Sequence, residues 1–99
     1  MNALRDAALA WLAAGRRGLV VEIASTQGSV PREAGTRMLV AEEACAGTIG
    51  GGHLEWEAIA EARALLRHGL AGVYERRIAL GPSLGQCCGG AVVLRYARL

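Results

Sequence analysis

At 99 residues, 53% hydrophobic and 20% charged, the chain has the length and composition of one globular domain, without the charge-rich bias of a disordered segment. A net charge of +2, with no basic run interleaved with aromatics, excludes an electrostatic argument for a nucleic-acid partner. All 11 cations are arginine, so a phosphate loop of the G-x-x-x-x-G-K-[ST] type lacks its lysine, and no segment approaches the ~20 apolar residues of a membrane span.

In chain order, Asn2 is placed to cap a first helix and Gly15 to end it, which aligns Leu4, Ala8, Trp11 and Leu12 on one face. The apolar run 7–14 is too short for a secretory leader, and Arg16-Arg17 follow it in the wrong charge order. "LVVEIAST" (19–26) is short, apolar and β-branched, the pattern of a buried strand. "QGSVPREAG" (27–35) carries Gly28, Ser29, Pro31 and Gly35, which break regular structure. "TRMLVA" (36–41) reads as a second strand, "EEAC" as a polar turn, and "AGTIG" (46–50) as a brief third strand returning beside the second.

A long helix is predicted from about Gly52 or His53 to His68, with Gly69 as its terminal glycine and Leu54, Ala58, Ala62, Leu65 and Leu66 as its apolar stripe. Glutamates 55, 57 and 61 lie early and Arg63, Arg67 and His68 late, the order that the helix dipole favours. "VYERRIAL" (73–80) alternates like a strand, "GPSLGQCCGG" (81–90) is a glycine-rich loop, and "AVVLRYARL" (91–99) closes the chain as a strand. The fold implied is α+β: a single mixed β-sheet of four to five strands with two helices packed on it.

The unusual residues fall in three loops. In "GSVPREAGTRM" (28–38), Arg32 and Arg37 are either two guanidinium forks for an anionic group or ordinary surface cations around a turn. In "GTIGGGHLE" (47–55), Gly50, Gly51 and Gly52 precede a helix start, where unpaired amides and the dipole suit a phosphate. The same glycines equally suit a tight turn with positive φ, and their spacing is not G-x-G-x-x-G. Glu55 in the first helical turn fits a capping carboxylate, or it faces the same ligand as the glycines.

In "GQCCGG" (85–90), Cys87 and Cys88 are either reactive thiols able to bind a soft metal or small buried hydrophobes. With Cys45 they make an odd count with an adjacent pair. This is no disulfide framework and fits a reducing compartment, the cytoplasm. The spacing matches no structural zinc site, and Cys45 reads as packing and His68 as a dipole partner. No G-x-S-x-G or H-E-x-x-H motif is present, so nothing marks a hydrolytic centre.

Together, "GSVPREAGTRM", "GTIGGGHLEWEAIAEAR" and "LGQCCGG" resemble the N-terminal domain of the xanthine dehydrogenase accessory proteins of the XdhC/CoxI family, over roughly residues 18–97. The resemblance implies a chaperone and not an enzyme. Such a protein holds the molybdenum cofactor (molybdopterin) as cargo while its terminal sulfur is installed, then passes it to a xanthine dehydrogenase-type apoenzyme, with a cysteine desulfurase as the sulfur source. It further implies cofactor-binding roles for Arg32, Arg37, Gly50, Gly51, Gly52, His53, Glu55, Gln86, Cys87 and Cys88, with Cys87 and Cys88 as the contacts to molybdenum. Family members usually continue into a dinucleotide-binding-like domain. Residues 1–99 are expected to form one domain without it, and no NAD binding is expected. A small thiol-dependent redox or sulfur-transfer protein using Cys87 or Cys88, and a structural docking domain, are the competing readings. No membrane partner is expected, and the small, apolar-rich chain suggests a homodimer.

Overall fold

Asn2 begins the folded chain as expected: its Oδ1 accepts from the N–H groups of Leu4 and Arg5, both at 3.1 Å, and opens α1 (Ala3–Ala13). The computed structural model describes residues 2–81 and 89–99. After α1 come β1 (Gly18–Gln27), β2 (Arg37–Ala41), β3 (Cys45–Gly47), α2 (Gly52–His68), β4 (Val73–Ala79) and β5 (Ala91–Arg98). The strands form one five-stranded sheet in the order β3-β2-β1-β5-β4.

The fold is α+β with both helices packed on the sheet, but the sheet is not mixed, since every pairing is antiparallel. A strand–helix–strand unit usually sets two parallel strands side by side. Here α2 carries the chain from β3 on one edge to β4 on the other, so these two strands never meet. Antiparallel partners fill every position between them.

Side chains alternate across the sheet and sort onto two faces. Leu19, Val21 and Ile23 of β1, Met38 and Val40 of β2, and Val92, Leu94 and Tyr96 of β5 point to the face covered by α2. The helix answers with Leu54, Ala58, Ala62 and Leu66, one buried residue per turn, and Leu65 packs at the margin. A fully buried aliphatic side chain contributes about 1.5–3 kcal/mol, so this layer dominates the stability.

The first helix lies on the opposite face, against β2 and β3. None of its residues is fully buried. Leu4, Ala8 and Trp11 are half-buried, whereas Leu12, expected on the same face, turns to solvent. Gly18 is a glycine for a local reason, because a Cβ there would come within 3.0 Å of the Trp11 ring. Cys45, expected to pack, is exposed on β3, with Sγ 3.7 Å from Arg63 Nη2.

Candidate functional site

The antiparallel topology decides where the three unusual loops go. β1 ends, β2 begins, β3 ends, β4 ends and β5 begins at the same end of the sheet. Loop 28–36, loop 48–51 ahead of α2, and the flanks of segment 81–90 therefore emerge together. Loop 28–36 is in the middle and touches both neighbours. A Cβ on Gly50 would lie 3.1 Å from Pro31 Cβ and 3.4 Å from Arg32 Cγ. A Cβ on Gly28 would lie 3.2 Å from Gly90 Cα, and one on Gly90 would collide with the carbonyl oxygens of Gln27 and Ser29. Gly90 is thus required by backbone packing. A register shift between Ile23 and Ser25 bends β1 just before the loops, and Ile23 fastens loop 28–36 by bonds to Thr36 O and from Gly35 N–H at 2.9 and 2.8 Å.

Gly50, Gly51 and Gly52 have φ of 125°, 74° and 65°, so the turn demands glycine at all three. The carboxylate of Glu55 fills the concave side of that turn. Its Oε1 accepts from Ile49 N–H at 3.0 Å, from Gly51 N–H at 3.1 Å and from the Thr48 hydroxyl, and Thr48 Oγ1 in turn accepts from Gly50 N–H at 3.1 Å. Two amides that could cradle a phosphate are already held by the protein's own carboxylate. Glu55 is therefore a strut that stiffens the loop and orients the start of α2.

Among the remaining candidates, Arg32 is exposed beside Gly50 and, among the described residues, pairs with no carboxylate. Arg37 is turned away: its Nε lies 3.5 Å from Glu22 Oε1, its cross-strand partner, on the face that carries α1. The His53 ring stacks on Trp56 with centroids 5.6 Å apart, and its Nε2 lies 3.5 Å from Glu57 Oε1. Trp56 is 66% exposed. Gln86, Cys87 and Cys88 lie outside the described residues. The described flanks of their segment meet at the loop end, where Leu80 N–H donates to Gly90 O at 2.7 Å.

The loop end thus presents an exposed arginine on loop 28–36 and a histidine at the start of α2 beside a braced glycine turn, with Gly90 against Gly28 of the same loop 28–36. Among the described residues no group of three or more His, Cys, Asp or Glu side chains could hold a metal ion. A cleft of about 550 Å³ lies at the opposite end of the sheet, between Arg16, Arg17, Glu42, Glu43 and Leu66, far from these loops. None of the described helices is long and apolar enough to cross a membrane.

Sequence reasoning missed Thr48 and Trp56. Thr48 stands seven residues before Glu55, and the capping-box spacing that would have flagged such a pair is three. Trp56 falls on the polar side of the helix pattern and carried no signal of its own.

Comparison with family models finds a match to the model described as "XdhC and CoxI family" over residues 11–76. Comparison with curated proteins finds no match. Among solved structures, the chain is similar to the crystal structure of a xanthine dehydrogenase from Bacillus halodurans, with a TM-score of 0.80 and 20% identity. The likeness covers 94% of this chain and 29% of that one, so the chain spans under a third of that protein's length and the two share a fold.

Proposed function

The chain belongs to the XdhC and CoxI family, and from that premise we propose that it serves the maturation of a xanthine dehydrogenase-type molybdoenzyme by carrying the molybdenum cofactor. The cargo is held at the loop end of the sheet while a cysteine desulfurase supplies sulfur, then passed to the apoenzyme in the cytoplasm. The observation that supports this most is that loop 28–36 and loop 48–51 meet at one end of the sheet, where the described flanks of segment 81–90 also emerge.

In this reading the residues divide the work. Arg32, unpaired among the described residues, offers a planar fork to the phosphate or another anionic oxygen of the pterin cargo. His53 adds a ring donor at the same turn. Glu55, with Gly50, Gly51 and Gly52, keeps that turn in shape and does not itself bind. Thiolates from Cys87 and Cys88, with Gln86 beside them, meet the soft metal. Arg37 is already paired with Glu22 and plays the smallest part. The role is that of a carrier, without turnover.

The test is titration of the purified domain with molybdenum cofactor, followed by absorbance. Arg32→Ala, Cys87→Ala and Cys88→Ala should each weaken binding by about tenfold, equivalent to ~1.4 kcal/mol, with circular dichroism unchanged. Wild-type affinity in all three variants would remove the site. Rapid alkylation of one cysteine at neutral pH, without cofactor binding, would instead favour thiol chemistry.

A further inference from the structure

The two edges of the sheet differ sharply. β3 is three residues long, ends at Gly47 and has Leu4 of α1 against it, so it offers little to pair with. β4 has seven residues, contains neither proline nor glycine, and pairs with β5 without a register shift. Six of its seven residues are exposed, Val73 to 60%, and among the described residues no strand covers its outer side. Exposed edges of this length are usually blunted by charged side chains, a bulge, a proline or a covering element, and of these β4 has only the charges of Glu75, Arg76 and Arg77, which are of both signs.

We propose that β4 is a dimerisation edge, and that a second copy of this chain pairs with it antiparallel about a two-fold axis at Arg76, extending one sheet through both molecules. This inference stands apart from cofactor carriage. The backbone supports the register. Leu80 N–H points at β5, where it donates to Gly90 O, so by the alternation of an antiparallel ladder the N–H and C=O groups of Val73, Glu75, Arg77 and Ala79 point outward. A two-fold at Arg76 opposes Glu75 to the partner copy's Arg77, and Val73 to its Ala79. The outward groups therefore face one another and form about eight hydrogen bonds.

Side chains select the same register. Glu75, whose Oε2 also accepts from Arg95 Nε at 2.8 Å, and Arg77, whose Nη2 donates to Gln27 Oε1 at 3.3 Å, give with the second copy two opposite-charge cross-strand pairs on one face. On the other face Tyr74 meets Ile78. The two Arg76 side chains face each other at the axis, and each is already bound to its own Glu61 at 2.9 Å. Sliding the pairing by two residues in either direction sets Glu75 against Glu75 or Arg77 against Arg77. The strand is thus self-complementary in one register. The contact is small, so the dimer is a weak one.

Sedimentation of the whole chain across about 1–100 μM should show a concentration-dependent dimer. Arg77→Glu and Glu75→Arg should each weaken it by about tenfold or more, and the double exchange Glu75→Arg with Arg77→Glu should restore it to within about threefold. Circular dichroism of each variant checks the fold, and the restored double variant shows that lost association in the singles was not misfolding. A chain that stays monomeric throughout, or a dimer unmoved by either single exchange, overturns the proposal.

Discussion

The two faces of the sheet are built on different principles. Under α2, Leu19, Val21, Ile23, Leu54, Leu94 and Tyr96 are fully buried, and the helix is fastened at both ends: Glu55 grips loop 48–51, and Arg17 Nη2 donates to Leu66 O at 2.8 Å. Under α1 nothing of the helix is fully buried, Leu9 and Leu12 are each 54% exposed, and polar pairs such as Glu22–Arg37 and Glu75–Arg95 occupy the sheet surface. One face holds the fold and the other is a partly covered surface. Because the core cluster lies on the α2 face, with Leu39 and Ala41 of β2 the main buried residues on the other, the loop positions depend chiefly on the α2 layer.

Substitutions should expose this asymmetry. Leu94→Ala removes a fully buried side chain from the middle of the α2 layer and should cost about 2–5 kcal/mol in denaturant unfolding. A cost below about 1 kcal/mol would break the comparison at its stronger side. Glu55→Ala leaves the Ile49 and Gly51 amides without their acceptor and should cost about 1–3 kcal/mol, with faster amide exchange confined to loop 48–51.

Tyr96→Phe should be near neutral at pH 7, because the Tyr96 hydroxyl has no partner among the described residues. Its signature is in alkali. Burial, then the nearby Glu61 carboxylate, push the phenol well above its ordinary value, with Arg76 opposing. A group whose folded-state value is raised stabilises fully below the unfolded value and loses that contribution above it. Wild-type stability should therefore fall as pH rises past about 10. The phenylalanine variant should fall less steeply in pH-dependent melts. The smallest effect belongs to the other face: Leu12→Ala should change stability by no more than about 0.5 kcal/mol. A cost matching that of Leu94→Ala would mean that α1 carries a core of its own.

The order of elements was legible because local chemistry set it: Asn2 caps α1, Gly69 closes α2, and an apolar stripe of five residues, four of them buried, marks the inner side of that helix. Strand pairing was not legible. Nothing near residues 45–47 or 73–79 announces that the intervening helix spans the sheet from edge to edge, so a mixed sheet was the natural expectation. The alternation in 73–79 suggested a half-buried strand. It is real in the backbone, but α2 lies over β1 and β2, and only Ile78 is buried. At the site, the glycine turn and its helix were legible, whereas Glu55 as the occupant of its own amide pocket was not, because Thr48 and Ile49 reach it only after the chain has turned.

The pairing of β1 with β5 has a kinetic consequence. It stitches residues near the beginning of the chain to those at its end, down to the bond from Leu99 N–H to Gly18 O at 3.0 Å. Closing so long a loop is slow, and docking of the locally paired β4–β5 hairpin onto β1 waits for it. A fragment trimmed to the family-matched residues 11–76 would lack β5, leave the flank of β1 bare, and remain unfolded however faithfully it kept the glycine turn.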